Sequence, residues 1–185
     1  MFGWLAPASL ICRRAPRAVV SRRSGRITPH ALIDGLSALG SVLYLHAAPH
    51  DTPPDSLPDG LLVVHHAGLP LLDAHWLTAI SVVTADGPRE WCECVDRFGH
   101  VRARWHLLPD TDYLAWDAMT SCCEADGDPI AILPLQARHA AAVKFRLREC
   151  AGLQMLELRA STMLSPLGGH IAARIARDES VRFDA

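Results

Sequence analysis

What this sequence lacks narrows it before any motif is read. No stretch approaches 18 apolar residues without a charge, so no stable membrane insertion is expected and the body of the protein reads as soluble. Positive charge is not in excess: 18 Lys and Arg against 20 Asp and Glu give a formal charge of -2, which argues against nucleic acid as the main partner. The six cysteines (Cys12, Cys92, Cys94, Cys122, Cys123 and Cys150) show no C-x-x-C spacing and are not paired with nearby histidines, so zinc is not indicated. Buried free thiols in a reducing, cytoplasmic setting are the expectation. The acidic run from Glu124 to Asp128 lacks the twelve-residue spacing and terminal glutamate of an EF-hand and reads as a solvated loop.

Acidic residues are also missing from the first 26 positions. Met1 to Cys12 is apolar, and Arg13, Arg14, Arg17, Arg22, Arg23 and Arg26 follow it. A secretory signal carries its positive charge ahead of the apolar run, so this order does not fit one. Residues 1–27 are therefore expected to be a disordered Arg-rich leader, and residues 28–185 a single α+β domain.

What is present is clearest between Arg89 and Cys123. Trp91, Glu93 and Val95 alternate with Cys92, Cys94 and Asp96; after a break, Val101, Ala103, Trp105 and Leu107 alternate with Arg102, Arg104 and His106. A period of two on either side of Asp96–His100, with Gly99 in the break, predicts a β-hairpin. Asp110 or Thr111 can cap a following helix in which Leu114, Ala115, Ala118, Met119 and Cys122 recur at helical intervals.

Earlier in the chain, Thr28-Pro29 predicts a helix start, with Leu32, Ile33, Leu36 and Leu39 on one side and a stop at Gly40. A strand over Val42–His46 follows, then a proline-rich loop, a strand over Leu61–His66, a turn at Gly68-Leu69-Pro70 and a strand over Trp76–Val83. His65, His66 and His75 read as ordinary polar histidines, since neighbours on a strand point to opposite faces. Towards the C-terminus, Pro134 is expected to open a helix ending near Cys150, placing Leu135, His139, Ala142, Val143 and Arg146 on one face. A strand over Leu153–Arg159 and a last helix over about Thr162–Arg177, interrupted at Gly168-Gly169, complete the expectation.

This order of elements resembles the first half of the cytoplasmic hemin-degrading and hemin-transport proteins of bacterial haem uptake, the HemS/ChuS/HmuS family. Leu36, Leu39, Gly40, Val42 and Leu45 match that family's helix running into a strand. Trp76–Val83 matches its tryptophan-led strand, and Asp96, Gly99 and Val101–Leu107 its D-x-x-G hairpin. His139 stands fourteen residues before Leu153-Gln154, the interval that in the family separates a haem-binding histidine from an L-Q-A-L-R-L strand. The chain departs at Pro70, where the family has an arginine, and at Ala137, Ala141 and Ala142, where it has an acidic residue and two phenylalanines.

The resemblance implies an antiparallel sheet built from hairpins with helices packed on one side, a HemS/ChuS-like half unit. It implies haem as ligand or substrate, with His139 as axial ligand to the iron and Arg146, two helical turns on, as the group facing a propionate. Haem handling in iron uptake and utilisation, with delivery or oxidative ring opening, is the implied function. A non-catalytic interaction or regulatory module that kept the fold and lost the pocket is the alternative. Because the family carries two such units, a homodimer or a separately encoded partner is expected, its interface drawn partly from the Trp91–Leu107 hairpin and from the helix bearing His139.

Overall fold

The computed structural model describes residues 18–47, 58–124 and 133–184. The proline-rich loop at 48–57 and most of the acidic run lie outside these residues. The protein is α+β, and its large sheet is mostly antiparallel. In chain order the elements are β1 (Ala18–Arg26), α1 (Pro29–Ala38), β2 (Ser41–Ala47), β3 (Leu61–Val63), a 3-10 segment (His66–Asp73), β4 (Trp76–Thr84), β5 (Gly87–Val95) and β6 (Val101–His106). They continue with α2 (Tyr113–Thr120), β7 (Ala137–Cys150), β8 (Leu153–Ala160), α3 (Pro166–Asp178) and β9 (Arg182–Asp184). The strands lie in the order β1-β4-β5-β6-β2-β7-β8-β3, with β9 paired to β7. Among the described strands, only the β3–β8 and β7–β9 pairs are parallel.

The hairpin, the first helix and the β2, β4 and β8 strands form as their patterns predict. Thr28 caps α1 by accepting a hydrogen bond from the Ala31 amide, and Leu32, Ile33 and Leu36 are its buried side. Asp112, rather than Asp110 or Thr111, caps α2, its carboxylate accepting from the Leu114 and Ala115 amides. That shift turns Trp116 and Met119 inward and leaves Leu114 exposed.

Three expectations are corrected. The stretch assigned to a disordered leader contains β1, which pairs from Ala18 to Arg26 with β4. Its arginines do not prevent this, because an edge strand keeps long charged side chains in water while its backbone is paired. The strand expected over Leu61–His66 stops at Val63, and the chain turns into the 3-10 segment.

The third correction matters most for function, because no helix follows Pro134. Residues 137–150 are the long strand β7, paired along its length with β2, β8 and β9. Ala140-Ala141-Ala142 suits a helix, but Val143, Phe145 and Leu147 alternate with Lys144, Arg146 and Arg148, and that period of two prevails. Ala151 and Gly152 both have positive φ, 51° and 79°. They form a two-residue turn with Cys150 opposite Leu153, the hairpin geometry that matches strand twist.

Register assigns every side chain a face. One face carries Tyr44, Cys92, Cys94, Ala103, Trp105, Val143 and Phe145, packed under α1, α2 and the 3-10 segment. The other carries Leu43, Leu45 and Ala140, covered by Ala172, Ile175 and Ala176 of α3. Among the described residues, helices thus lie on both faces, with α3 alone on the second. Gly168 and Gly169 sit inside α3 without interrupting it. The α3 C-terminus is held by ion pairs, Arg89 to Asp178 at 2.6 Å and Arg104 to Glu179 at 2.9 Å.

Strands β5, β6 and β7 are interior and paired on both edges, so the Trp91–Leu107 hairpin and the segment bearing His139 offer no free strand edge to a second chain.

Candidate functional site

A cleft of about 480 Å³ opens on the first face, where β2, β7 and β8 meet the chain that follows β3. Strand β2 contributes Tyr44 and His46, β7 contributes His139, Ala141 and Val143, and β8 contributes Leu158. His65 and Ala67 close one side, and Asp184 of β9 closes another. Alternation on the strands is what gathers these residues: Tyr44 and His46 are two apart, as are His139, Ala141 and Val143. The volume lies within the roughly 300–1,000 Å³ usual for small-molecule sites.

Its floor is rigid. Tyr44 Oη donates to the Ala67 carbonyl at 2.8 Å, and the ring packs edge-on against Phe145 at 5.3 Å. Burial pushes the Tyr44 hydroxyl well above its ordinary pKa, so it stays a neutral donor. His46 stacks on Tyr44 with ring centroids 5.6 Å apart. Its Nδ1 lies 2.9 Å from the Ala47 carbonyl, and since a carbonyl only accepts, this contact has Nδ1 as the donor.

His139 is more open, its side chain 56% exposed. Its Nδ1 lies 3.4 Å from Asp184 Oδ2, and the other oxygen of Asp184 is 3.2 Å from Arg182 Nε. A carboxylate on Nδ1 favours the tautomer with its lone pair on Nε2, the arrangement common for histidines that bind metals. Among the described residues, no group of three or more His, Cys, Asp or Glu side chains is placed to hold a bare metal ion. The cleft suits a metal that brings most of its own ligands and a flat apolar frame with it, and a haem meets that description. The donor set and the Ala141, Val143 and Leu158 walls fit such a group.

Arg146 does not belong to this site. It is seven residues from His139 along a strand, an odd number, so it projects from the opposite face, about 23 Å further on at 3.3 Å per residue. Arg182 of β9 pairs in register with His139, and its side chain is 78% exposed. Sequence reasoning missed it because β9 is three residues long and carries no periodic signal. His46 and His65 were missed for a related reason: they reach the cleft from separate elements, and nothing local links them to His139.

The other histidines lie elsewhere. His75 contacts Arg26 at 3.3 Å and the Trp76 ring, and His170 is exposed on α3. Pro70 is buried, its carbonyl 3.8 Å from Cys94 Sγ. A second cavity of about 500 Å³ between α1 and α2 is mainly lined by small and apolar residues, among them Ala31, Gly35, Ala115 and Met119, with Arg26 at its rim.

No protein-family model matches the chain, and no curated protein matches it in sequence. Among solved structures it is similar to the haem-degrading enzyme ChuS of Escherichia coli O157:H7, with 12% identity and a TM-score of 0.43 over 63% of this chain and 39% of that one. A second structure of ChuS, described as an E. coli haem oxygenase, gives 14% and 0.42 over 65% and 41%. Holo-PhuS, a haem-binding protein from Pseudomonas aeruginosa, gives 22% and 0.40 over 64% and 39%. The chain thus spans about two fifths of the length of these proteins. At this level the likeness extends to no ligand and no reaction, and the chemistry of the cleft rests on its own residues.

Proposed function

We propose that this chain binds haem in the cleft beside β7 and hands it on, as part of haem-iron handling in the cytoplasm. The observation that carries this reading is His139 at the edge of an apolar cleft, with Asp184 against its Nδ1. His139 Nε2 would donate to the iron, His46 and His65 line the cleft beside it, and Ala141, Val143 and Leu158 would give apolar contact to the macrocycle. Arg182 supplies the cation for a propionate, as a guanidinium suits a carboxylate. Haem itself supplies the redox-active iron. The sequence resemblance to the hemin-degrading and hemin-transport family supports the same ligand.

Hemin titration tests this directly. A Soret band that saturates at one hemin per chain and shifts in His139→Ala supports the assignment. Absence of saturable binding removes it and leaves a non-catalytic interaction module. Adding a reductant under air to the loaded protein then separates carriage, in which the band persists, from ring opening, in which it bleaches.

A further inference from the structure

On the second face, α3 covers Ala140 and the β2 residues beside it but leaves the later half of β7 uncovered. Lys144, Arg146 and Arg148 project there, all exposed, and Arg159 of β8 lies opposite Lys144. One carboxylate, Glu157, stands among them, 3.0 Å from Arg159 and 3.6 Å from Arg148. It leaves a surplus of positive charge in a chain whose net charge is negative. Next to the basic row, Met155 is half-buried, and Leu62 of β3, its register partner, is 45% exposed.

We propose that this basic and apolar surface of β7, β8 and β3 docks an acidic amphipathic helix of a partner protein. Lys144, Arg146 and Arg148 are spaced about 6.6 Å apart along the strand. Acidic residues four apart on a helix are spaced about 6 Å apart, so a helix lying along β7 meets each cation with a carboxylate. Its apolar flank then falls on Met155 and Leu62, a helix-in-groove contact with α3 as one wall.

The other occupants fit less well. A flat bilayer is held off by α3, whose thickness of about 10 Å stands beside the patch. Single-stranded nucleic acid requires aromatic platforms for its bases, and none of these face residues is aromatic. A second copy of the same surface would oppose cation to cation.

The test uses the full chain and a synthetic 18-residue helix with Glu at every fourth position and Leu beside it, followed by fluorescence anisotropy. Oligo-dT and phosphatidylserine vesicles are the comparison probes. Saturable binding of the helix, weakened by at least about tenfold in an Arg146→Glu/Arg148→Glu variant and unchanged in Arg97→Glu, supports the proposal. Hydrogen exchange should show added protection in β7, β8 and β3 alone. No saturable binding, equal binding by the charge-reversed variant, or tighter binding of vesicles or oligo-dT through the same arginines overturns it. Hemin titration of the charge-reversed variant gives an independent readout, because this surface lies opposite the cleft.

Discussion

His139 Nδ1 lies 3.4 Å from Asp184 Oδ2, so strand β9 touches the His139 ring at the edge of the histidine-lined cleft. The contact joins β7 to β9 and biases the ring towards a lone pair on Nε2. Asp184→Asn should weaken hemin affinity by about 10–100-fold, the usual cost of losing a carboxylate behind a metal-binding histidine. His139→Ala should also shift the Soret maximum. Equal affinity in wild type and Asp184→Asn would show that β9 does not support the site.

Arg182, not Arg146, is expected to recognise the propionates. Arg182→Ala should weaken hemin binding by several-fold while leaving hemin dimethyl ester unaffected. Arg146→Ala should change neither, since its side chain emerges on the opposite face. A selective loss in Arg146→Ala would contradict the assignment of faces.

These two residues show what was legible in the sequence. The hairpin from Trp91 to Leu107 could be read because its alternation is local and uninterrupted. Strand β7 could not be read as easily, since three consecutive alanines fit either period and the deciding pattern, Val143 to Arg148, is short. Reading it as a helix placed His139 and Arg146 on one side, seven residues being two turns; on a strand the same interval separates them. His139 was singled out through the family resemblance, by its interval to Leu153-Gln154, and the structure places it on β7 beside the cleft. Its neighbours were not legible, because His46 and Asp184 are brought to it by pairing between β2, β7 and β9, and His65 by the chain that follows β3, all contacts distant in sequence.

A buried ion pair under α3 makes a separate stability prediction. Arg104 donates from Nε and Nη2 to Glu93 Oε1 at 3.0 and 2.7 Å, and Trp91 Nε1 donates to the same oxygen at 3.2 Å. The Arg104 and Glu93 side chains are 13% and 5% exposed. Arg104→Ala leaves Glu93 buried without its cation and should cost about 3–5 kcal/mol in urea unfolding. The double replacement Glu93→Met/Arg104→Met should recover part of that loss, because it removes the buried Glu93 charge, while Glu179 and Trp91 Nε1 still lose these partners. A cost below about 1 kcal/mol for Arg104→Ala would place the pair in the class of surface bridges.

The thiols make the last prediction, and its sign follows from burial. Cys92 and Cys94 are fully buried on the first face, and Cys123 is buried beneath β4, its Sγ 3.5 Å from the Leu77 carbonyl. Desolvation pushes the Cys92 and Cys94 thiols up strongly. For Cys123 it acts first and the neighbouring Cys122 second, raising it to about 12. An unfolded thiol ionises near pH 8.5. Below that, folded and unfolded chains both hold the protons and stability does not depend on these groups. Above it, only the unfolded chain releases them, so stability falls as pH rises. Cys92 and Cys94 should each remove about 1.4 kcal/mol per pH unit. Urea midpoints under reducing conditions should therefore hold from pH 7 to 8 and drop between pH 9 and 10, and the drop should shrink in Cys92→Ala. Iodoacetamide should modify the exposed Cys122 and Cys150 in the folded protein. Cys92, Cys94 and Cys123 should react only at the rate of unfolding; rapid labelling of Cys94 at neutral pH would contradict the burial on which the pH dependence rests.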